Sequence, residues 1–246
     1  MRRLVDVVAV LLTWEVAVRL LGVSSRVLPP PSAIAVQLMQ IPGVVFTAAG
    51  YTVTSAVLGY LAAAAVGIAL AVMLAHVPLL ERSLLPFFVA SQAVPVIAFS
   101  AIVILWAGNG PLSKIAIAFY LSFFPVTVGT VRGLQASDPM AVALLRTFGA
   151  RTWTILWKLR FPTALPYLFV ALRIGTTTAL IGAIVGEWFG DNRGLGTLIL
   201  HALYTEDTVR LWCGIVACAV VGAAFYAVVA ALERRLVWWP APALDH

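Results

Sequence analysis

Charged side chains are scarce, making up 11% of the 246 residues against 62% hydrophobic. Soluble domains carry about 25% charged residues, and so few could not cover a large soluble surface. Lys114 and Lys158 are the only lysines, followed by isoleucine and leucine, and no G-x-x-x-x-G-K-[ST] occurs. A phosphate-binding loop on this chain is therefore excluded. The two cysteines, Cys213 and Cys218, lie five apart in an apolar run with no histidine or cysteine cluster beside them. They read as buried free thiols, not as a disulfide framework or zinc site. No HExxH or GxSxG is present, and no histidine falls deep in an apolar run near a nucleophile, which argues against an intramembrane enzyme. Neither an inverted repeat nor paired membrane carboxylates appear, which argues against a secondary transporter or channel; that class stands as the alternative.

What is there is length and oil. Several apolar stretches run for about 20 residues, enough to cross a hydrocarbon core of about 30 Å. The reading is an all-α polytopic membrane protein with six spans, near 4–22, 46–75, 85–107, 112–132, 163–190 and 209–232. The N-terminal run has two arginines ahead of it, but Asp6, Glu15 and Arg19 interrupt it and no small-residue cleavage site precedes Leu28-Pro29-Pro30-Pro31-Ser32. It reads as a retained first span, with Glu15 and Arg19 neutralising each other at i,i+4. Ser32 is expected to cap a short amphipathic helix over 33–40, within an outer linker at 28–45. The net charge of +6 reflects membrane topology and needs no nucleic acid. With the N-terminus inside, Arg2, Arg3, Arg82, Arg132, Arg146, Arg151, Lys158, Arg160, Arg234 and Arg235 are cytoplasmic. Only Arg26, Lys114, Arg193 and Arg210 fall outside. That bias places both termini in the cytoplasm.

The longest inward segment, 133–162, contains TFGARTWTILWKLRFPTALP. Asp138-Pro139 is a helix start, and Gly149 suits the residue just past a helix end. A second helix begins near Arg151, with Arg151, Thr154 and Lys158 on one arc and Trp153, Leu156 and Trp157 on the other. Pro162 and Pro166 mark the turn back into the membrane. The residues alone leave two readings open: an interfacial loop anchored by aromatic and basic side chains, or a docking lever for a cytoplasmic partner.

Here the chain resembles a known family. Gly149, nine residues, then Leu159-Arg160-Phe161-Pro162 is similar to the second part of the EAA signature of ABC importer permeases, written E-A-A, three residues, G, nine residues, I-x-L-P. The stretches LPPPS, QAVPVIAFSAIVILWAGNG, FFPVTVGTVRGL, PTALPYLFVALRIG and GEWFGDNRGLGTLI resemble the branch importing nitrate, sulfonates, taurine, bicarbonate and thiamine- or riboflavin-related precursors. The resemblance covers nearly the whole chain. It implies one transmembrane domain over 1–246 with the type I permease fold, a multi-pass place in the bacterial inner membrane, and a homodimer. It also implies two ATP-binding subunits, which hold the ATP and magnesium, and an external binding protein; no cofactor is expected on this chain. Leu145, Arg146, Gly149, Ala150, Arg151, Leu159 and Pro162 become the coupling candidates. Position 143 departs from the pattern: Ala143 stands where the family has glutamate, followed by Leu144 and Leu145. The change removes one charge-assisted contact worth about 1.5–3 kcal/mol where desolvated.

Polar residues inside spans are costly and are sought first as pathway elements. Gln92, Ser122, Phe123, Thr177, Glu187 and Trp188 are the candidates. Each has a structural alternative: Ser and Thr bond to the preceding turn, and Glu187 can serve a gate or helix packing. Pro95 frees a carbonyl beside Gln92 and bends the third span. Gly and Ala from Gly59 to Ala71 read as close helix packing, and Arg173 as a snorkelling structural residue. Phe123, Phe124, Trp188 and Gln92 suit a planar heterocycle better than an oxyanion.

Overall fold

The computed structural model describes residues 2–189 and 193–239. Among them every regular element is helical. In chain order these are α1 (Arg2–Leu20), α2 (Pro31–Gln40), α3 (Pro42–His76), α4 (Pro78–Ser91), α5 (Val96–Ala107), α6 (Pro111–Gln135), α7 (Pro139–Thr147) and α8 (Thr152–Ile155). A π-helical segment (Leu156–Arg160) joins α8 to α9 (Phe161–Glu187), and α10 (Leu195–Tyr204) and α11 (Thr208–Leu236) complete the set. Pro31, Pro42, Pro111 and Pro139 each open a helix, where the missing N–H would be unpaired anyway.

Four helical stretches are long and apolar enough to cross a membrane: α3, α6, the 36 residues Thr152–Glu187, and α11. A fifth crossing exists only if α4 and α5 count as one span, and they meet at 96°. The bend expected at Pro95 is thus a full break over residues 92–95, since Pro95 has no N–H to continue a helix. α1 does not meet the same test; its 19 residues carry Arg2, Arg3, Asp6, Glu15 and Arg19. By length and apolarity the described residues thus supply four or five spans, a count compatible with the six expected but not a confirmation of it.

Ser32 does not cap α2. Pro31 starts the helix one residue early, and Pro30 is its N-cap. Glu15 does the capping from α1: Ser32 donates its backbone N–H to Oε2 (3.0 Å) and its hydroxyl to Oε1 (2.8 Å). Arg19 closes the group with a 2.6 Å ion pair to Glu15. A carboxylate at a helix N-terminus is favoured by its free N–H groups and dipole.

The centre of the fold is α6, held between α3 and α9. Ala118 of α6 is fully buried because glycines meet it from both sides. A Cβ on Gly59 of α3 would lie 2.6 Å from Ala118 Cβ, and one on Gly182 of α9 would lie 2.7 Å from Ala118 Cα. Small residues let helix backbones approach where lipid offers no hydrophobic drive between helices. Ala63 and Ala71 of α3 are also fully buried, so the Gly59–Ala71 stretch serves packing. Arg173 pairs with Glu233 of α11 (3.2 Å) and lies over the Tyr226 ring, a structural use of the cation. Large apolar side chains such as Leu105, Trp106 and Val220 point outward, the expected surface for hydrocarbon or a second subunit.

Replacing Gly182 with leucine should overpack this contact and cost about 1–3 kcal/mol. Thermal unfolding of the purified protein in detergent checks it; an unchanged midpoint would show that the α6–α9 spacing is not limiting.

Candidate functional site

The elbow is built from two short caps. Asp138 Oδ1 accepts the Met140 N–H at 2.9 Å, fixing the start of α7. At the other end Gly149 has φ +76°. Its N–H donates to Arg146 O (2.9 Å), while the Ala150 N–H reaches back to Leu145 O (3.0 Å). These paired bonds satisfy the last carbonyls of α7 and reverse the chain through a left-handed residue. Nothing lies within 4 Å of a Cβ built on Gly149, so the position is constrained by backbone conformation, not by space.

Beyond the elbow the structure differs from expectation. Pro162 and Pro166 do not turn the chain; Thr152–Glu187 runs as one helical rod through both. The accommodation is the π-helical segment, where Phe161 N–H bonds to Leu156 O, five residues back. A π-turn just ahead of Pro162 widens the helix and relieves the clash a proline ring makes with the preceding turn. Thirty-six residues at 1.5 Å each make a rod about 54 Å long. Leu156 also departs from expectation. It is buried with Leu134 and Ala164, whereas Trp153 and Trp157 are exposed and step along the rod with Phe161 at 5.7 and 5.0 Å.

Of the coupling candidates, Arg146, Gly149 and Arg151 are exposed on the elbow, and Leu145, Ala150, Leu159 and Pro162 are half-buried. The sequence reading passed over Met140, Leu144 and Phe148, exposed at 78%, 57% and 79%. Their i, i+4, i+8 spacing was the available signal: α7 and its C-cap Phe148 carry an exposed apolar strip.

The far end of the rod is tied by Glu187, fully buried. Its Oε1 accepts the Thr52 hydroxyl at 2.7 Å, and its Oε2 accepts the Gly196 N–H at 2.7 Å. Thr52 Oγ1 in turn accepts the Leu195 N–H at 2.8 Å. One carboxylate and one hydroxyl thus gather α3, α9 and the N-terminus of α10. Gly194, at φ +110°, must be glycine because a Cβ there would collide with the Glu187 carboxyl. Near this end Lys114, assigned from sequence to an outer segment, is fully buried in α6 and donates to Asn109 Oδ1.

The pathway candidates scatter. Gln92 is exposed at the α4–α5 break, Thr177 on α9, and Trp188 just past it. Ser122 is buried and donates to Ala118 O at 2.6 Å within its own helix. Phe123 packs against Phe88 and Phe119, with ring centroids 5.6 and 5.4 Å away. Glu187 faces protein. None of the six lines any of three clefts among the described residues. The largest, about 910 Å³, lies between α3 and α10 and carries Tyr51, Thr54, Arg193, His201 and Arg210. A second, about 500 Å³, is an apolar groove with Phe124, Gly129, Tyr167 and Ile174. The third, about 570 Å³, opens beside α7.

The sequence that folds into this helical bundle matches a known family. Residues 64–238 match the model of the family described as binding-protein-dependent transport system inner membrane component. The chain belongs to this family. It is therefore a multi-pass inner-membrane permease of a transport family, not an enzyme. Similar proteins include the formylaminopyrimidine transport permease of Halalkalibacterium halodurans, 33% identical over 92% of this chain and 90% of the relative. The riboflavin transport system permease of Chloroflexus aurantiacus is 33% identical over 96% and 89%. The taurine transport system permease of Escherichia coli is 28% identical over 96% and 88%.

In this permease, Thr52→Val should release the α10 N-terminus by removing the acceptor of the Leu195 N–H. Hydrogen–deuterium exchange at residues 195–197 should quicken by about tenfold, the loss of one buried bond. Unaltered exchange there would mean that the Thr52 tie does not hold α10.

Proposed function

We propose that this chain is the membrane subunit of an ATP-driven importer with six spans and both termini in the cytoplasm. Two copies form the route, two ATP-binding subunits hold ATP and magnesium and dock on the 133–162 elbows, and an external binding protein delivers a small solute. The observation that carries this reading is the unbroken rod from the elbow to Glu187. In this reading a push on α7 passes to the rod because the N–H groups of Gly149 and Ala150 bond back to Arg146 O and Leu145 O and the rod stays helical through Pro162 and Pro166. Closure of the ATP-binding pair on nucleotide then favours the outward-facing arrangement, and hydrolysis resets it. The nucleotide shifts the equilibrium through its different affinity for the two states. None of the six pathway candidates lines the three clefts described above, a pattern that supports a route formed between two copies.

For the solute, a planar heterocycle of the thiamine- or riboflavin-precursor class is the first reading. Support comes from the aromatic cluster around Phe123 and from the names of the two 33%-identical relatives. A taurine- or sulfonate-type anion is the second, favoured by Arg193, His201 and Arg210 in the largest cleft. Stimulation of ATPase activity in the reconstituted complex separates them: binding protein carrying a pyrimidine precursor should stimulate turnover and protein offered taurine should not. The opposite pattern selects the anion. Uptake that survives ATP depletion but collapses with the ion gradient would instead establish the secondary transporter.

Gly149→Ile should uncouple the elbow while leaving membrane insertion intact, since a left-handed β-branched residue is strained by about 1–2 kcal/mol or more. Gly149→Asn, which tolerates this conformation, should be much milder. Equal ATPase stimulation by loaded binding protein in wild type and Gly149→Ile would contradict the role given to the elbow.

A further inference from the structure

The cleft beside α7 holds an unanswered set of donors. It is lined by Gln135, Ser137, Ala143, Arg146 and Arg160, among others, and no carboxylate lines it. Ser137 is 7% exposed, and its Oγ has no hydrogen-bond partner among the described residues; the buried Nε of Arg160 has none either. Buried donors are normally satisfied, because leaving one unpaired forfeits its hydration without return. Two such donors in one cleft, with a second cationic side chain, Arg146, also lining it, point to a missing acceptor. The chain's own carboxylates at the edge are engaged elsewhere. Glu81 Oε1 accepts from Gln135 Nε2 at 2.6 Å, and Asp138 Oδ1 caps α7. Position 143, on the cleft wall, carries only a methyl group.

We propose that this cleft is a receptor for an aspartate or glutamate side chain of the ATP-binding partner, held by Arg160 and Arg146 with the Ser137 hydroxyl as a further donor. The proposal rests on the reading of 133–162 as the surface where that partner docks. Charge argues for an anion, since guanidinium groups pair best with a planar carboxylate in a two-pronged geometry. The surroundings argue that the anion arrives on a protein and not free in solution. Met140, Leu144 and Phe148 expose an apolar strip along the same helix, which a small ion would leave wet and a docked subunit would cover. A buried charge pair at the centre of such a contact fixes register more than it adds affinity, which is what a lever needs.

The test uses the intact complex purified in lipid nanodiscs. In an Arg160→Lys variant, a zero-length carbodiimide joins the new amine to any carboxylate within contact distance, and mass spectrometry of the digest finds the partner. The expected product links residue 160 itself, and not only the exposed Lys158 two residues before it, to an aspartate or glutamate of the ATP-binding subunit. Links only to Asp138 or Glu81, or no link while the subunit remains bound, would overturn the proposal. Ala143→Glu, at an exposed position, supplies a competing carboxylate within the chain. It should weaken binding of the ATP-binding subunit by about tenfold, the scale of one charge-assisted contact. Unchanged or tighter binding would equally overturn the proposal. If the unaltered chain captured no ATP-binding subunit at all, the docking reading would fail first, and that result is separate from either variant's.

Discussion

Inside a bilayer, backbone polar groups have no water to turn to, so a segment that must carry force across it has to satisfy them internally. Thr152–Glu187 does this over 36 residues, and the rest of the architecture is arranged around it. α6 packs along it through contacts close enough to require Gly182, and α3 packs on the opposite face of Ala118 through Gly59. At one end the rod begins beneath a short helix with both termini capped. At the other its last residue, Glu187, holds α3 and α10 together. Stiffness in the middle and specific ties at both ends suit the rod to the transmitting role proposed for it.

The elbow was legible because its signals are local. Asp138-Pro139 and Gly149 act within a few residues of themselves, and the structure realises them as an N-cap and a left-handed C-terminal reversal. Helix start and stop chemistry depends on nearest neighbours, so sequence carries it directly. The prolines misled for a related reason. Pro162 and Pro166 break helices in water, but in a membrane segment a π-turn placed ahead of them, with neighbouring helices on either side, absorbs the lost donors. The long-range ties were not legible. Thr52 and Glu187 are 135 positions apart, and nothing around Thr52 marks it as anything but a helix threonine. Gly194-Leu195-Gly196 beside a glutamate was the only available hint. Lys114 looked interfacial because lysine usually is, and the fold buries it instead.

The same contrast applies to Ala143. By sequence it reads as a loss, since alanine stands where the resemblance implies a carboxylate. By structure it is also an opening, because the small side chain leaves a cleft in which Ser137 and Arg160 keep unpaired donors. An ion pair can be conserved in effect while its two charges exchange sides of an interface, since the attraction depends on their separation and surroundings, not on which chain carries which sign.

The account stands or falls on the rod moving as one body. Spin labels at the exposed positions Thr152 and Thr177, 25 residues apart at about 1.5 Å per residue, should report a distance of about 37 Å. Pulsed electron resonance on the reconstituted complex should find that distance the same without nucleotide and with ATP bound, while distances from either label to the second permease copy change. A change of several ångströms between the two labels would locate a hinge at the π-helical segment and contradict the claim.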